Sequence, residues 1–421
     1  MALPSQVLYN MKPESVPSRS LKTSFLSSAG AGSITAAGQA KIHVSGNRGE
    51  YLDCPNSMLR FSVTNPTNSA ATMILDGHAS CFIERVEIYF NSTLVESISA
   101  YNVLYGALYD ASASTEQRVG GDAIIAGTCD NPSGGGGVTI RYGKSLVAGE
   151  TAEFQIPLLG CLGTHAEKYL PLGFGELRIE LTMAPFLNAV VSTAPAHQFT
   201  ISNINYDAQI IRVDASAQMN IEAALPGGQF QIHGSSFRSY NGTIANQPAN
   251  STSQLNMYVP ANFASVKTVI ATMRESALIG DGTKFCISHR TTNGVKSWYV
   301  RCGSENYPQT PVQGVVQSYV ELLKARHSLA TGDYQYSIGP EDWAQENAGG
   351  IEGSFMMALD LEAFSGKSGV MMSGKDTTNS QLFLVAEFTV AQARSVVVDT
   401  FVEFDQVLYI DANSQQATVR F

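Results

Sequence analysis

The sequence predicts an all-β chain of two tandem β-sandwiches, each with one embedded short helix. Three observations carry this. Apolar and polar residues alternate with a period of two along most of the chain, in segments rich in branched and aromatic residues. Gly, Asn, Ser, Asp and Pro separate those segments, and the 37 glycines and 16 prolines sit mostly between them, as turns require. The order of segments in the first half returns in the second, shifted by close to 200 residues.

In order along the chain, KIHVSG, LRFSVTN, ERVEIYF, AEFQIPL, ELRIELTM and FTISNINYDAQIIRV read as strands of the first half. QLNMYV, KTVIATM, SWYVRC, FMMALDLE, LFLVAEFTV and VVVDTFVEFDQVLYI read as strands of the second. Two helices interrupt them. The first covers about Ser97 to Ala111, with Ile98, Tyr101, Leu104, Tyr105 and Leu108 on one face. The second covers about Pro311 to Leu329, with Val312, Val315, Val316, Tyr319, Val320 and Leu323 as its apolar face. Thr310 as N-cap, Pro311 at the first position and Gln313 at the third spell a capping box.

The repeat is read from two runs of segments. IERVEIYF, a turn at Asn91, TLVESI and a helix find a counterpart in VKTVIATM, a hairpin, SWYVRC and a helix. AEFQIPL, ELRIELTM and NYDAQIIRVDA match SFMMALDLE, LFLVAEFTV and EFDQVLYIDAN, with Phe154 to Phe355 spaced by 201 residues and Asp207 to Asp405 by 198. The Ser-, Ala- and Gly-rich residues 1–40 read as an extended arm. The stretch ASAQMNIEAALPGGQ breaks the alternation and places a linker at 216–228. The two sandwiches are then 41–215 and 229–421.

Composition excludes several classes. Of the 421 residues 44% are hydrophobic and 15% charged, so the chain carries a large core and is not globally disordered. The net charge of −10 argues against a protein that coats nucleic acid with its whole surface. No run of about 18 apolar residues marks a membrane helix, and the start has neither the basic nor the apolar region of a secretory signal. The six cysteines, Cys54, Cys81, Cys129, Cys161, Cys286 and Cys302, form no CxxC and read as buried thiols. KFCISHRTTNGVKSWYVRCG reads as a hairpin about Asn293-Gly294. Its register sets Cys286 opposite Arg301 and Cys302 opposite Lys284 or Phe285. The two sulfurs then lie on opposite faces, and no Cys286–Cys302 bond is expected.

The chemistry of an active site is not apparent. GGGGVTIRYGKS resembles a phosphate loop, but Gly137 is six positions before Gly143 and the following residues alternate instead of forming a helix. HExxH, GxSxG and GxGxxG motifs do not occur. His43, His78, His165, His197, His233, His289 and His327 lie at no ligand spacing from one another. His165, near Glu167 and Lys168, reads as part of a solvated loop. The sequons at Asn91, Asn241 and Asn250 read as unmodified turn residues. The arm holds the cations Lys12, Arg19 and Lys22 beside Glu14, too few for a genome-binding tail. The two helix faces lack flanking basic clusters, so packing on the sandwich is preferred to a membrane surface. No catalytic, cofactor-binding or metal-binding residue is assigned, and no cofactor is expected.

Several stretches resemble one family. EYLDCPNSMLRFSVTN and LDGHASCFIERVEIYFNSTLVESISAYNVLYGALYD carry the likeness in the first half. LNMYVPANFASVKTVIATMRE, SWYVRCGSENYPQTPVQGVVQSYVELLKA and FVEFDQVLYIDANSQQATVRF carry it in the second. The chain resembles the double jelly-roll major capsid proteins of icosahedral DNA viruses, in the virophage and polinton-like branch, with adenovirus hexon a larger relative. The resemblance implies a double jelly roll, with rolls at 41–215 and 229–421 standing perpendicular to a shell. It implies a homotrimer of pseudo-hexagonal outline, lateral packing of trimers into the facets of a virion, and contacts with a vertex (penton) protein and minor capsid proteins. It implies no sequence-specific nucleic-acid binding and no enzyme, and it runs the arm 1–40 along the inner side of the shell as a latch. The chain is short for this branch, so its outer loops are modest, with CDNPSGGGG (Cys129 to Gly137) and Ser239 to Ser253 as candidate insertions. The alternative function is a tandem β-sandwich that binds glycans. It requires an exposed aromatic platform, for which Trp343 qualifies better than the strand residue Trp298.

Overall fold

The computed structural model describes residues 18–28, 32–66, 71–129, 143–192, 198–245, 254–331, 336–344, 353–363, 372–388 and 394–421. The first half is built on β1 (Ser18–Leu26), β2 (Gln39–Val44), β3 (Glu50–Thr64), β4 (Ile83–Phe90), β5 (Thr93–Ser99), β6 (Thr151–Pro157), β7 (Leu177–Met183) and β8 (Thr200–Val213). The second is built on β9 (Gln229–Ile244), β10 (Gln254–Val259), β11 (Val266–Glu275), β12 (Val295–Cys302), β13 (Glu305–Gln313), β14 (Met357–Asp360), β15 (Leu382–Phe388) and β16 (Val396–Asp411). A last strand, β17 (Ala417–Arg420), pairs with β16.

Each half packs two antiparallel sheets. In the first half the orders are β1-β8-β3-β6 and β2-β7-β4-β5. In the second they are β9-β16-β11-β14 and β10-β15-β12-β13. The two patterns superpose when every strand number is raised by eight. Alternation sets the inward face. In β2, Ala40, Ile42 and Val44 are buried and Gln39, Lys41 and His43 are exposed. Strand β10 repeats the pattern. Phe82 links the sheets of the first half, its ring 6.1 Å from Phe61 and 5.0 Å from Phe199. Phe263 stacks on Phe404 at 3.8 Å in the second half.

The duplication is present, with one correction to its alignment. IERVEIYF is β4 and its counterpart is SWYVRC in β12, because both stand third in the same sheet order. VKTVIATM is β11, the counterpart of β3. TLVESI in β5 corresponds to β13. Unequal connections make the shift drift, from 212 residues between the starts of β4 and β12 to 196 between those of β8 and β16.

The helices start later than the sequence predicts. Helix α1 is Tyr101–Asp110, and Ser97–Ser99 belong to β5. Its expected face holds, since Tyr101, Leu104, Tyr105 and Leu108 are all buried. Helix α2 (Ala215–Ala223) occupies most of the expected linker, and a short turn at Pro226 with the positive-φ Gly227 and Gly228 follows it. Helix α3 is Gly314–Ala325. Thr310 and Pro311 are not its cap. They lie in β13, where Val312 pairs with Trp298. Gly314, at φ 64°, turns the strand into the helix. The Gln313 N–H donates to Gln317 Oε1 at 2.7 Å and so loses no partner. The buried side of α3 is Ser318, Leu322, Leu323 and Ala325, whereas Val316 is 75% exposed. The face turns because the buried Trp298 Nε1 donates to Ser318 Oγ at 2.8 Å.

Three further expectations change. Residues 18–26 of the expected arm are β1, paired residue by residue with β8 from Ser18–Val213 to Leu26–Asn205. SRSLKTSFL has Leu21, Phe25 and Leu26 as its apolar residues, too few and too irregular for a visible period of two. The turn at Asn293-Gly294 forms, both residues at positive φ, but the hairpin about it does not. Strand β12 pairs instead with β13 and β15, and the preceding pair His289–Arg290 joins Gly353–Ser354 in parallel. The thiols of Cys286 and Cys302 are both free and buried. Asn241 is a strand residue opposite Asp399, whereas Asn91 turns β4 into β5 at φ 55°. Most of the Cys129–Gly137 loop, Asn250, His197, Lys12 and Glu14 lie outside the described residues.

Candidate functional site: the seam between the halves

A set of buried polar groups gathers where the two halves meet. Two carboxylates of the first half hold the segment Cys286–Arg290 of the second. Asp76 Oδ2 accepts from the N–H of Cys286 at 2.8 Å and of Ile287 at 2.7 Å. Its Oδ1 accepts from the N–H of Ser288 at 2.9 Å and from Ser288 Oγ. This satisfies a stretch of backbone that has no sheet partner of its own. Asp110, at the end of α1, accepts from Arg118 on one oxygen and from Arg290 on the other. Both guanidinium groups are buried, and the single carboxylate lies between them.

His78 completes this end of the seam. It stacks on Tyr105 at 4.6 Å and lies 4.8 Å from Tyr109, and Nδ1 accepts from the Ser80 N–H at 3.0 Å. Burial, reinforced by the Arg118 charge, pushes its pKa down to about 3, so the ring is neutral near pH 7. The cavity bounded by Asp76, His78, Asp110, Arg118 and Arg290 measures about 10 Å³. That is the lower limit for one water molecule and far below the roughly 300 Å³ of a small-molecule site.

The middle of the seam is formed by β5 against β9 and β16. Gln406 Nε2 donates to the Val95 carbonyl at 2.9 Å, and Arg238 Nη1 donates to the Ser97 carbonyl at 3.3 Å. These side chains cap a strand edge that would otherwise carry open carbonyls. Glu96 between them is 1% exposed, with Oε1 accepting from the Leu162 N–H at 2.5 Å and Oε2 3.5 Å from Ser236 Oγ. Burial pushes its carboxyl up to about 8. His165 is half-buried with its ring edge on Phe237 at 5.6 Å, so it is not in a solvated loop. His233 sits between Glu167 at 3.4 Å and Asp405 at 3.6 Å, and Asp405 raises its pKa. The far end of the seam is aromatic, with Phe230 between Phe174 at 4.9 Å and Tyr51 at 6.5 Å.

Among the described residues no group of three or more His, Cys, Asp and Glu side chains is placed to hold a metal ion. Trp343 is buried, against the expectation of an exposed platform. Its Nε1 donates to the Val315 carbonyl at 2.7 Å, and its ring packs on Tyr319 and Phe355. Trp298 is core, as expected. The sequence marks none of Asp76, Glu96, Asp110, Arg118 or Arg290 as special. Their partners are up to about 210 residues away, as for Asp76 and Cys286, and no local spacing encodes that.

Comparison with solved structures follows this geometry over nearly the whole chain. The PBCV-1 protein VP54, fitted into a reconstruction of the virophage Sputnik, superposes with a TM-score of 0.66 at 11% identity. That match covers 98% of this chain and 99% of the other. The fold is a double jelly roll. The major capsid protein of Faustovirus gives a TM-score of 0.59 at 8% identity, covering 95% of this chain and 92% of its own. That of mavirus gives 0.54 at 10% identity, covering 100% and 95%. No family model and no curated protein matches the sequence. Each half is thus a jelly roll, and the seam is a roll-to-roll contact.

Proposed function

We propose that this chain is a major capsid protein that self-assembles into pseudo-hexameric homotrimers, which tile the shell of an icosahedral virion. The observation that carries the reading is the match of both rolls, in order and nearly end to end, to capsid proteins. The seam agrees with it. Its polar groups are spent on joining one roll to another, through backbone capping and buried ion pairs, and the cavity bounded by Asp76, His78, Asp110, Arg118 and Arg290 is too small for a substrate. On this reading the chain is a structural protein of the virion. Its further partners are a vertex protein and minor capsid proteins. We divide it into an arm at 1–40, of which Ser18–Leu26 is drawn into the first roll as β1, rolls at 41–215 and 229–421, and a linker at 216–228 that is mostly helix. The glycan-binding alternative loses its platform, because Trp343 is buried.

Negative-stain electron microscopy of the purified chain tests the proposal. Particles of hexagonal outline support it. Uniform single two-lobed particles at concentrations where capsid proteins assemble contradict it.

A further inference from the structure

One loop of the first roll is held on the second roll by two titratable groups. Loop 158–168 follows β6 and lies on β9. The Glu167 N–H donates to the His233 carbonyl at 3.2 Å, and the His165 ring rests on Phe237. A Cβ on Gly234 would come 2.5 Å from the His165 carbonyl oxygen and 3.1 Å from Cys161 Sγ, so loop and strand are in close contact. We propose that Glu96 and His233 form a two-proton latch, which keeps this loop on the second roll and releases it when both protons leave at mildly alkaline pH. Both rolls belong to one chain, so the latch goes beyond the capsid reading and does not depend on it.

Glu96 grips the loop from the first roll. Its carboxyl fills the turn at Gly160, where a Cβ would collide with it, and Gly160 is at φ 114°. Oε1 accepts from the Leu162 N–H. The groups facing it are the Cys54 thiol of β3, the Tyr101 hydroxyl of α1 and the Cys161 thiol of the loop, with Ser236 and Arg238 from β9. Arg238 is the one cation of this set, and its Nη1 donates to the Ser97 carbonyl. Such a site suits a neutral carboxyl and penalises a carboxylate. Burial accordingly pushes the group up to about 8.

His233 grips the loop from the second roll. Its ring lies between Glu167 of the loop at 3.4 Å and Asp405 of β16 at 3.6 Å. Lys267 of β11 stands 3.9 Å from Asp405 and donates to Ser235 Oγ, and Ser265 Oγ also donates to Asp405. Protonated, His233 joins the carboxylate of the loop to that of the second roll. Neutral, it leaves Glu167 and Asp405 without the cation between them. Asp405, with Glu167, raises its pKa, so the charged form is favoured in the closed seam. His165 takes no part, because burial holds it neutral despite Glu403, with Arg326 and Lys267 acting in the same direction as burial.

The two changes have the same sign. A rise in pH puts a negative charge on Glu96 and removes a positive charge from His233, both at one loop. A group whose pKa is raised in the closed seam and ordinary in the open one favours opening as pH rises. For Glu96 alone, at about 8 closed and 4.5 open, the ratio of open to closed loop grows about tenfold between pH 7 and 9. His233 adds to that rise.

The Cys161 thiol reports on the latch, since it is buried beneath the loop and β9. Short pulses of iodoacetamide at pH 6.5 to 9, read by peptide mass analysis, give the label on Cys161 relative to that on Cys302. Cys302 lies in β12, so the ratio cancels the ordinary gain of thiolate with pH. In the unmodified chain the ratio should rise about tenfold or more between pH 7 and 9. Glu96→Gln keeps the size of the neutral carboxyl and should cut the rise on its own. Glu96→Gln with His233→Asn should give a ratio that no longer changes with pH, in a chain whose far-ultraviolet circular dichroism keeps its strand signature. A flat ratio in the unmodified chain overturns the latch. So does a rise in Glu96→Gln as steep as in the unmodified chain. Neither result bears on whether copies of the chain assemble, which the mass of the particle reads separately.

Discussion

Asp76 and Asp110 hold the same seam by different chemistry, and their substitutions should differ accordingly. Asp76→Ala leaves three N–H groups of Cys286–Ser288 without their acceptor. At about 1–3 kcal/mol for each unsatisfied group, it should lower stability by about 3 kcal/mol or more. Asp110→Ala takes the same carboxylate from two buried guanidinium groups. Removing one partner of a buried pair costs about 3–5 kcal/mol, and here two cations lose that partner at once. Urea unfolding checks both. A midpoint equal to that of the unmodified chain would show that the seam does not depend on these carboxylates. Glu96 sets a pH dependence. Its carboxyl is raised by burial from the ordinary 4.5 to about 8, so between those values the folded chain holds a proton that the unfolded chain releases. Stability contributed by this group is then complete below about pH 4.5 and is lost as pH rises toward 8. Glu96→Gln should flatten that slope. An unchanged slope in the thermal midpoint between pH 5 and 8 would contradict the assignment.

Single elements show what the sequence makes legible. Strands with one buried face, such as β2, β7 and β10, are read at once because their period of two is strong. Strand β1 is missed because its outer face is bare and its apolar residues are few. The start of α3 is misread because Thr310-Pro311 is a good local cap, yet pairing of Val312 with Trp298 overrides it. The face of α3 is misread because Ser318, a polar residue, is the one that meets Trp298. Two substitutions separate the real face from the expected one. Val316→Ser should change stability by less than about 0.5 kcal/mol, as exposed positions do. Trp343→Ala should cost about 3–5 kcal/mol through lost packing on Tyr319 and Phe355. Loss of glycan binding in a stably folded Trp343→Ala chain would reverse that reading.

At the scale of the molecule, the duplication is the feature that sequence and structure share most fully. Both the 198-residue spacing of Asp207 and Asp405 and the identical strand order of the rolls express it. The seam is the feature the sequence hides, because it joins residues such as Asp110 and Arg290 that are 180 positions apart. The arm divides at β1. Deleting residues 2–17 leaves β1 and its pairing with β8 intact, so the trimer should persist. Deleting residues 2–30 also removes β1 and its pairing with β8, and should lower the stability of the first roll. Equal urea midpoints of the two truncated chains would show that β1 adds nothing to the roll.

The most direct measurement is light scattering of the purified chain during gel filtration, at low and at high salt. Three copies of a 45.1 kDa chain give a mass near 135 kDa, and contacts made through packed sheet faces should survive salt. A salt-stable species of that mass is the expected result. A salt-independent mass of about 45 kDa would contradict the central claim that this chain is built to assemble with itself.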